Sequence, residues 1–217
     1  MSKATGSFRT KLIAAGVVFK TREGSTMQKT QRILRICAAV VALGAVVAFA
    51  SEQGSAQRVS TDPAADAEGA LRVPADYVAN YDYMGTWSVA ADAGSGAKEM
   101  HVVYASPGAI ADFKKSGHFQ NGDVLVKEVR EAETASMTTG TVSHPTKLKG
   151  WFVAVRDTNN SHPGNKLWGD GWGWSWFDAD KPLHTTSTDY QSECKGCHVP
   201  AEATDWMYTP GYVTLHR

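Results

Sequence analysis

The chain has 217 residues, with 22 Lys and Arg against 22 Asp and Glu, so its formal net charge is zero. The charges are unevenly spread, because eight of the basic residues and only one acidic residue lie in the first 50 positions. The remaining residues carry a net charge near −7, with 14 basic and 21 acidic side chains. This balance excludes a nucleic-acid binder that works by charge attraction, and the length suits one domain.

The N-terminal region has the pattern of a secretory signal peptide. A basic stretch, Met27–Arg35, precedes an uncharged apolar run of 15 residues, Ile36–Ala50, which ends in Ala48-Phe49-Ala50. The run is shorter than the roughly 20 residues of a membrane-spanning helix, although an uncleaved N-terminal anchor is the alternative. We therefore interpret 27–50 as a cleavable signal peptide and 1–26 as an upstream extension, and we expect the protein to be exported.

The rest of the chain predicts a β-rich domain. Residues 51–70, rich in Ala, Ser, Asp and Gln, are predicted to be a flexible tether, and 71–217 form the domain. Apolar and polar residues alternate at the strand period in five segments. Ser106 and Gly117 bracket a predicted short helix, Pro107–Lys115, and Thr188 is the expected cap of a final helix. We predict a mainly β, α+β domain with an antiparallel sheet and a few short helices; its predicted strands are 84–89, 100–104, 124–129, 151–156 and 172–177.

The final helix carries the most informative motif, Cys194-Lys195-Gly196-Cys197-His198. The C-x-x-C-H spacing lets two thiols bond the vinyl groups of one haem while the adjacent imidazole ligates its iron. Cys37 leaves with the signal peptide, so no other thiol remains in the exported chain. A thioredoxin-like pair, a zinc site and a plain disulfide are the alternatives, and each leaves part of the motif unexplained.

Strand alternation makes two further predictions about side chains. Leu125, Lys127 and Val129 point to one side of their strand, so Lys127 either extends from a sheet edge or faces a pocket. The three Trp residues of the last strand share one face, where they are expected to form core or dimer surface rather than an electron relay; they are Trp172, Trp174 and Trp176.

A longer pattern links these features to a known family. The run from Phe113 to Val129 (FKKSGHFQNGDVLVKEV), the upstream Val73-Pro74-x-x-Tyr77 and Gly85-Thr86-Trp87, and the C-terminal C-x-x-C-H occur in one order. In this order they resemble the cytochrome P-460 family, and the resemblance covers nearly all of 71–217.

The resemblance implies a periplasmic, mostly β, homodimeric protein with one haem c per chain. Cys194 and Cys197 would attach the haem, and His198 would be the axial iron ligand. In the hydroxylamine-oxidising members a lysine is cross-linked to a haem meso carbon, and the matching residue here is Lys127. The implied function is oxidation of hydroxylamine to nitrous oxide or nitric oxide at an open distal iron site, with electrons passed to an acceptor cytochrome.

The distal residues of the site are less clearly marked. His101 stands where we expect the family's arginine, so a titratable imidazole would replace a permanent cation. The family also implies a distal carboxylate that takes protons from substrate, and the candidate is Asp189, with Asp178 and Asp180 nearby.

The sequence also agrees with two other functions. One is nitric-oxide binding or scavenging, as in the related cytochrome c′-beta. The other is electron transfer by a six-coordinate haem, with Met207, Met100 or His101 as the sixth ligand.

Overall fold

The structure is a computed structural model, and it describes residues 62–216. The predicted signal peptide and the upstream extension lie outside the described residues, so both stay predictions. Within 62–216, no helix is both long and apolar enough to cross a membrane.

A six-stranded sheet forms the centre of the described chain. Every paired neighbour is antiparallel, and the strand order is β1-β2-β3-β4-β6-β5. The helices are all short, so the predicted mainly β, antiparallel fold is confirmed. The strands are β1 Asp82–Ala90, β2 Ala97–Ala105, β3 Val124–Met137, β4 Gly140–Arg156, β5 Trp168–Gly169 and β6 Trp172–Asp178; the helices are α1 Tyr77–Asn80, α2 Ala109–Ser116, α3 Tyr190–Glu193 and α4 Lys195–His198, followed by 3-10 turns at Val199–Thr204, Thr209–Gly211 and Val213–Leu215.

Strands β3 and β4 are much longer than predicted. They form one hairpin whose pairing runs from Val124 opposite Val155 to Met137 opposite Gly140. The outer half of this hairpin is mostly exposed. Because polar side chains occupy both of its faces, it lacks the apolar alternation that marks a half-buried strand.

The two faces of the sheet cover two different apolar clusters. Leu125, Trp172 and Trp174 belong to one cluster, together with side chains of the C-terminal residues. Val126 and Phe177 belong to the other cluster, which packs under the N-terminal part of the domain. The predicted alternation of β3 and the shared face of the Trp residues are therefore correct, and Trp172 and Trp174 are core residues.

The predicted start of one helix moves for a local reason. Helix α2 begins at Ala109 after Gly108, which is left-handed with φ 94°. The Ser106 hydroxyl does not cap this helix but accepts a hydrogen bond from the Val124 amide (2.9 Å). Gly117, with φ 77°, ends the helix as predicted.

Part of the segment predicted as a tether packs against the domain. In 62–70, Ala64 is buried and Ala65 forms an isolated bridge with Leu71. The Asp66 carboxylate accepts hydrogen bonds from the amides of Glu68 and Ala70, which closes a tight turn. The small polar residues that suggest flexibility here form a hydrogen-bonded turn instead.

The C-terminal segment, 190–215, crosses the sheet face that carries Trp174. The predicted cap Thr188 is replaced by Asp189, whose carboxylate accepts from the Gln191 amide (3.0 Å). The Thr188 hydroxyl donates instead to the Glu193 carboxylate (2.7 Å). Cys194 separates α3 from α4, so the Cys-containing helix is two single turns.

Gly150 on β4 has no room for a Cβ against the neighbouring strand β6, which allows a stability test. A Cβ at this position would lie 2.1 Å from the Phe177 carbonyl oxygen and 2.6 Å from the Trp176 ring. We expect Gly150→Ala to lower the free energy of unfolding by about 2 kcal/mol or more, because β4 and β6 must separate to admit the methyl group. Denaturant unfolding of Gly150→Ala and of the wild type, compared at equal haem content, measures this. Equal stability of the variant and the wild type would contradict the observed packing.

Candidate functional site

One cavity of about 370 Å³ lies between the sheet and the C-terminal segment, and it brings most of the predicted residues together. Lys127 and His101 line it from the sheet, whereas Cys194, Cys197 and His198 line it from the C-terminal segment. Its other walls are largely apolar, which suits a flat apolar ligand; they include Met84, Val103, Leu125, Phe152, Ala154 and Trp174.

The two thiols are unpaired and differ in exposure. Cys194 is buried and Cys197 is exposed, and neither forms a disulfide. Burial, helped by the nearby Glu193 charge, raises the pKa of Cys194 to about 11. Both sulfurs stay available for bonding to a ligand in the cavity.

The His198 imidazole is fixed in one orientation. Its Nδ1 lies 2.7 Å from the Trp206 carbonyl oxygen, which only accepts, so Nδ1 carries the proton and Nε2 keeps its lone pair. The ring also packs against Trp174, with 4.6 Å between ring centroids. Burial lowers the pKa of His198 and favours the neutral form. An imidazole whose other nitrogen is tied in this way is typical of a metal ligand.

Lys127 faces the cavity from the centre of the sheet. Its Nζ lies 4.4 Å from the centroid of the Phe152 ring, on the neighbouring strand. Burial lowers the pKa of Lys127, because the charged form is poorly solvated there. The pocket interpretation of this residue is therefore correct, and the edge interpretation is excluded.

His101 also lines the cavity, and its partner is a residue that the sequence analysis missed. Its Nε2 lies 3.2 Å from the Oε2 atom of Glu99, two residues earlier on β2. The other oxygen of Glu99 contacts the Lys149 ammonium. Burial and the positive charge of Lys127 lower the pKa of His101, although the Glu99 carboxylate opposes this effect.

The acidic candidates of the sequence analysis do not reach the cavity. Asp189 caps α3 and lies 3.9 Å from Lys166. Asp178 accepts a hydrogen bond from the Trp176 indole (3.0 Å), and Asp180 is exposed on the loop after β6. None of the three is among the residues that line the cavity. Two other carboxylate residues are found at the cavity: Glu193 lines it, and Glu99 contacts the lining residue His101.

The candidate sixth ligands are also separated. Met207 is buried and lines the cavity. Met100 alternates with His101 along β2, so it lies on the opposite face of the sheet and cannot reach the cavity. Met100 is therefore removed as a candidate iron ligand.

The residues present fit a covalently bound haem. Two unpaired thiols and one imidazole with a free Nε2 open onto an apolar cavity, which is the donor set that a c-type haem requires. Within 62–216, no three His, Cys, Asp or Glu side chains converge as a zinc site would need.

Comparison with known families agrees with this geometry. The family model for cytochrome P460 matches residues 74–209. The chain belongs to the cytochrome P460 family. The match covers the sheet, Lys127 and the C-x-x-C-H motif, and membership implies a covalently bound haem. No curated protein matches the chain.

Proposed function

We propose that this cytochrome P460 is an exported haem c enzyme that oxidises hydroxylamine. Cys194 and Cys197 would hold the haem through thioethers, and the His198 Nε2 would ligate its iron. When bound, the haem supplies an iron centre that takes electrons from the substrate. The observation that carries the proposal is the buried Lys127 amine on the sheet wall of the same cavity, because this lysine matches the cross-linked residue of the hydroxylamine-oxidising relatives.

The residues around the cavity have three roles in this proposal. The apolar walls exclude bulk water and so strengthen polar interactions with a small substrate. The Lys127 amine, poorly solvated as an ammonium, is available as the neutral nucleophile that would bond the macrocycle. That bond would replace the meso C–H bond and one amine N–H bond, so its formation needs a two-electron oxidant from solution, which also takes up the two electrons, while the two protons pass to solvent. His101 accepts protons that the N–H and O–H bonds of hydroxylamine release on oxidation.

An open site on the iron is part of the proposal. Met207 and His101 both line the cavity, and the His101 Nε2 contacts Glu99. The proposal leaves a coordination site on the iron for a small molecule, and the ferric spectrum described below tests this against ligation by Met207 or His101.

The remaining parts of the proposal are a periplasmic location, one haem c per chain, a homodimer, and an acceptor cytochrome that receives the electrons. The predicted signal peptide supports the location, and the family resemblance supports all four.

Turnover of hydroxylamine with an added electron acceptor tests the function. We expect catalysis at neutral pH that declines as the pH falls through the pKa of His101. Protonation removes the acceptor lone pair, and burial places this pKa below the ordinary value of about 6.5. His101→Asn should remove this acid limb and lower the rate by about 10²-fold, the smaller end of general-base effects.

The spectrum of the ferric wild-type protein provides the control. A high-spin spectrum agrees with the open site. A low-spin spectrum that disappears in Met207→Ala would support electron transfer instead, and nitric-oxide binding without turnover would support the scavenging function.

A further inference from the structure

Two linked side chains behind His101, those of Glu99 and Lys149, have no role in the proposed function. Glu99 shares a face of β2 with His101 because the two are two residues apart on one strand. The Glu99 Oε2 atom contacts the His101 Nε2, and its Oε1 contacts the Lys149 Nζ. Each carboxylate oxygen therefore has a different partner.

Lys149 reaches Glu99 because of an irregularity in β4. Val129 pairs with Gly150 and Arg130 pairs with Leu148, so Lys149 is the extra residue of a β-bulge. A bulge redirects the side chain of its extra residue. Here the Lys149 side chain crosses β3 to contact Glu99 on β2.

The protonation state of Glu99 decides which nitrogen of His101 carries the proton. The Lys149 ammonium holds the pKa of Glu99 below its usual range, so the carboxylate is ionised and only accepts hydrogen bonds. The neutral imidazole must then carry its proton on Nε2 to donate to Glu99. This leaves the lone pair on Nδ1.

The Nδ1 atom of His101 is free to act on a ligand. No hydrogen bond to it occurs within 62–216, and it is not among the fully buried polar atoms without a partner. His101 lines the cavity, and an imidazole with a carboxylate on its far nitrogen is the arrangement that orients a general base and stabilises its imidazolium.

We infer that Glu99, fixed by Lys149, is a positioning residue that holds His101 with Nδ1 as the proton acceptor of the cavity. The inference rests on the proposed function for the origin of the proton. The proton moves from the bound substrate to Nδ1, the imidazolium forms beside the Glu99 carboxylate, and the proton then passes to solvent. No electron moves in this step.

The charged groups around His101 come from three strands. Glu99 lies on β2, Lys127 on β3 and Lys149 on β4, and only Glu99 raises the pKa of His101. The residue opposite His101 on β1 is Trp87, which carries no charge. Changes at Glu99 and at Lys149 should therefore move this pKa in opposite directions.

Nitrogen-15 NMR of the diamagnetic ferrous–carbon monoxide holoprotein tests the inference without turnover. In the wild type we expect neutral His101 as the Nε2–H tautomer. Glu99→Gln should lower the pKa of His101 and weaken the tautomer preference, whereas Lys149→Met should raise the pKa and keep the tautomer. Glu131→Gln, an exposed carboxylate opposite Glu99 on β3, is the matched control and should change neither.

Hydroxylamine turnover then links the tautomer to catalysis. In Glu99→Gln the acid limb of kcat/KM should move to lower pH and the plateau should fall about tenfold, a part of what a general base supplies. An Nδ1–H tautomer in the wild type, or a tautomer, pKa and acid limb that are unchanged in Glu99→Gln, would overturn the inference. If Glu99→Gln does not fold, the pKa of His101 in Lys149→Met is the test, and a pKa that is not raised would overturn the inference. A wild type that does not oxidise hydroxylamine overturns the proposed function, and the NMR result then decides the role of Glu99 alone.

Discussion

Cys194→Ala and His198→Ala are each expected to prevent the normal holoprotein from accumulating. Cys194 is one of only two thiols in the described chain, and the His198 imidazole is tied to the Trp206 carbonyl on the same segment. Without the haem, the cavity of about 370 Å³ leaves the facing side chains without contacts. A ligand that binds only the folded state contributes its binding free energy to stability.

Haem absorbance per unit of exported protein measures this effect. Lys195→Gln is the matched control, because it keeps both thiols and the imidazole. It removes the partly exposed ion pair of Lys195 with Asp170 and the cation–π contacts of Lys195 with Tyr190 and Trp206. We expect near wild-type amounts of this variant. A well-folded His198→Ala protein with an unchanged haem spectrum would refute the assignment of His198 as the axial ligand.

Lys127→Ala is expected to retain the thioether-bound haem and to lose hydroxylamine oxidation. The wild type should have a red-shifted ferrous Soret band, and its haem should stay attached to the β3 peptide after proteolysis. Without the amine, the ordinary c-type spectrum should return, since the bond to the macrocycle cannot form. Nitric-oxide binding should persist, because it needs only the iron and an open site.

Lys127→Arg separates the charge of this residue from its reactivity. A guanidinium keeps the cation beside the Phe152 ring, but it stays protonated and does not act as a nucleophile. We therefore expect it to behave as Lys127→Ala does in spectrum and turnover. If the wild type has an ordinary c-type spectrum and mass spectrometry finds Lys127 unmodified, the function is nitric-oxide binding instead of hydroxylamine oxidation.

Short-range patterns predicted the parts of the site that depend on one element. The period of two along β3 correctly placed Lys127 with Leu125, and the C-x-x-C-H spacing correctly grouped the thiols with His198 at the cavity. These features depend on the local geometry of a strand or a helical turn. No long-range pairing is needed to recognise them.

The features that the sequence did not predict depend on pairing between distant elements. Glu99 and His101 have the spacing of side chains on one strand face, and this signal was present in the sequence. Lys149, however, reaches Glu99 only because of the bulge in β4, which no local pattern reveals. Asp189 was predicted to be a distal acid because it precedes the motif, but its carboxylate accepts a hydrogen bond from the Gln191 amide at the start of α3.

The two walls of the cavity come from parts of the chain that are far apart in sequence. Lys127 stands in the middle of the sheet, and Cys194 follows it after 66 intervening residues. A cofactor bonded to both would close a covalent ring through the rest of β3, then β4, β5, β6 and α3. Closing a ring of this size lowers the entropy of the unfolded chain, which stabilises the folded state by about 4 kcal/mol. The lysine bond would thus be a covalent cross-link between distant parts of the chain. At equal haem content, the cross-linked wild type should have a higher free energy of unfolding than Lys127→Ala.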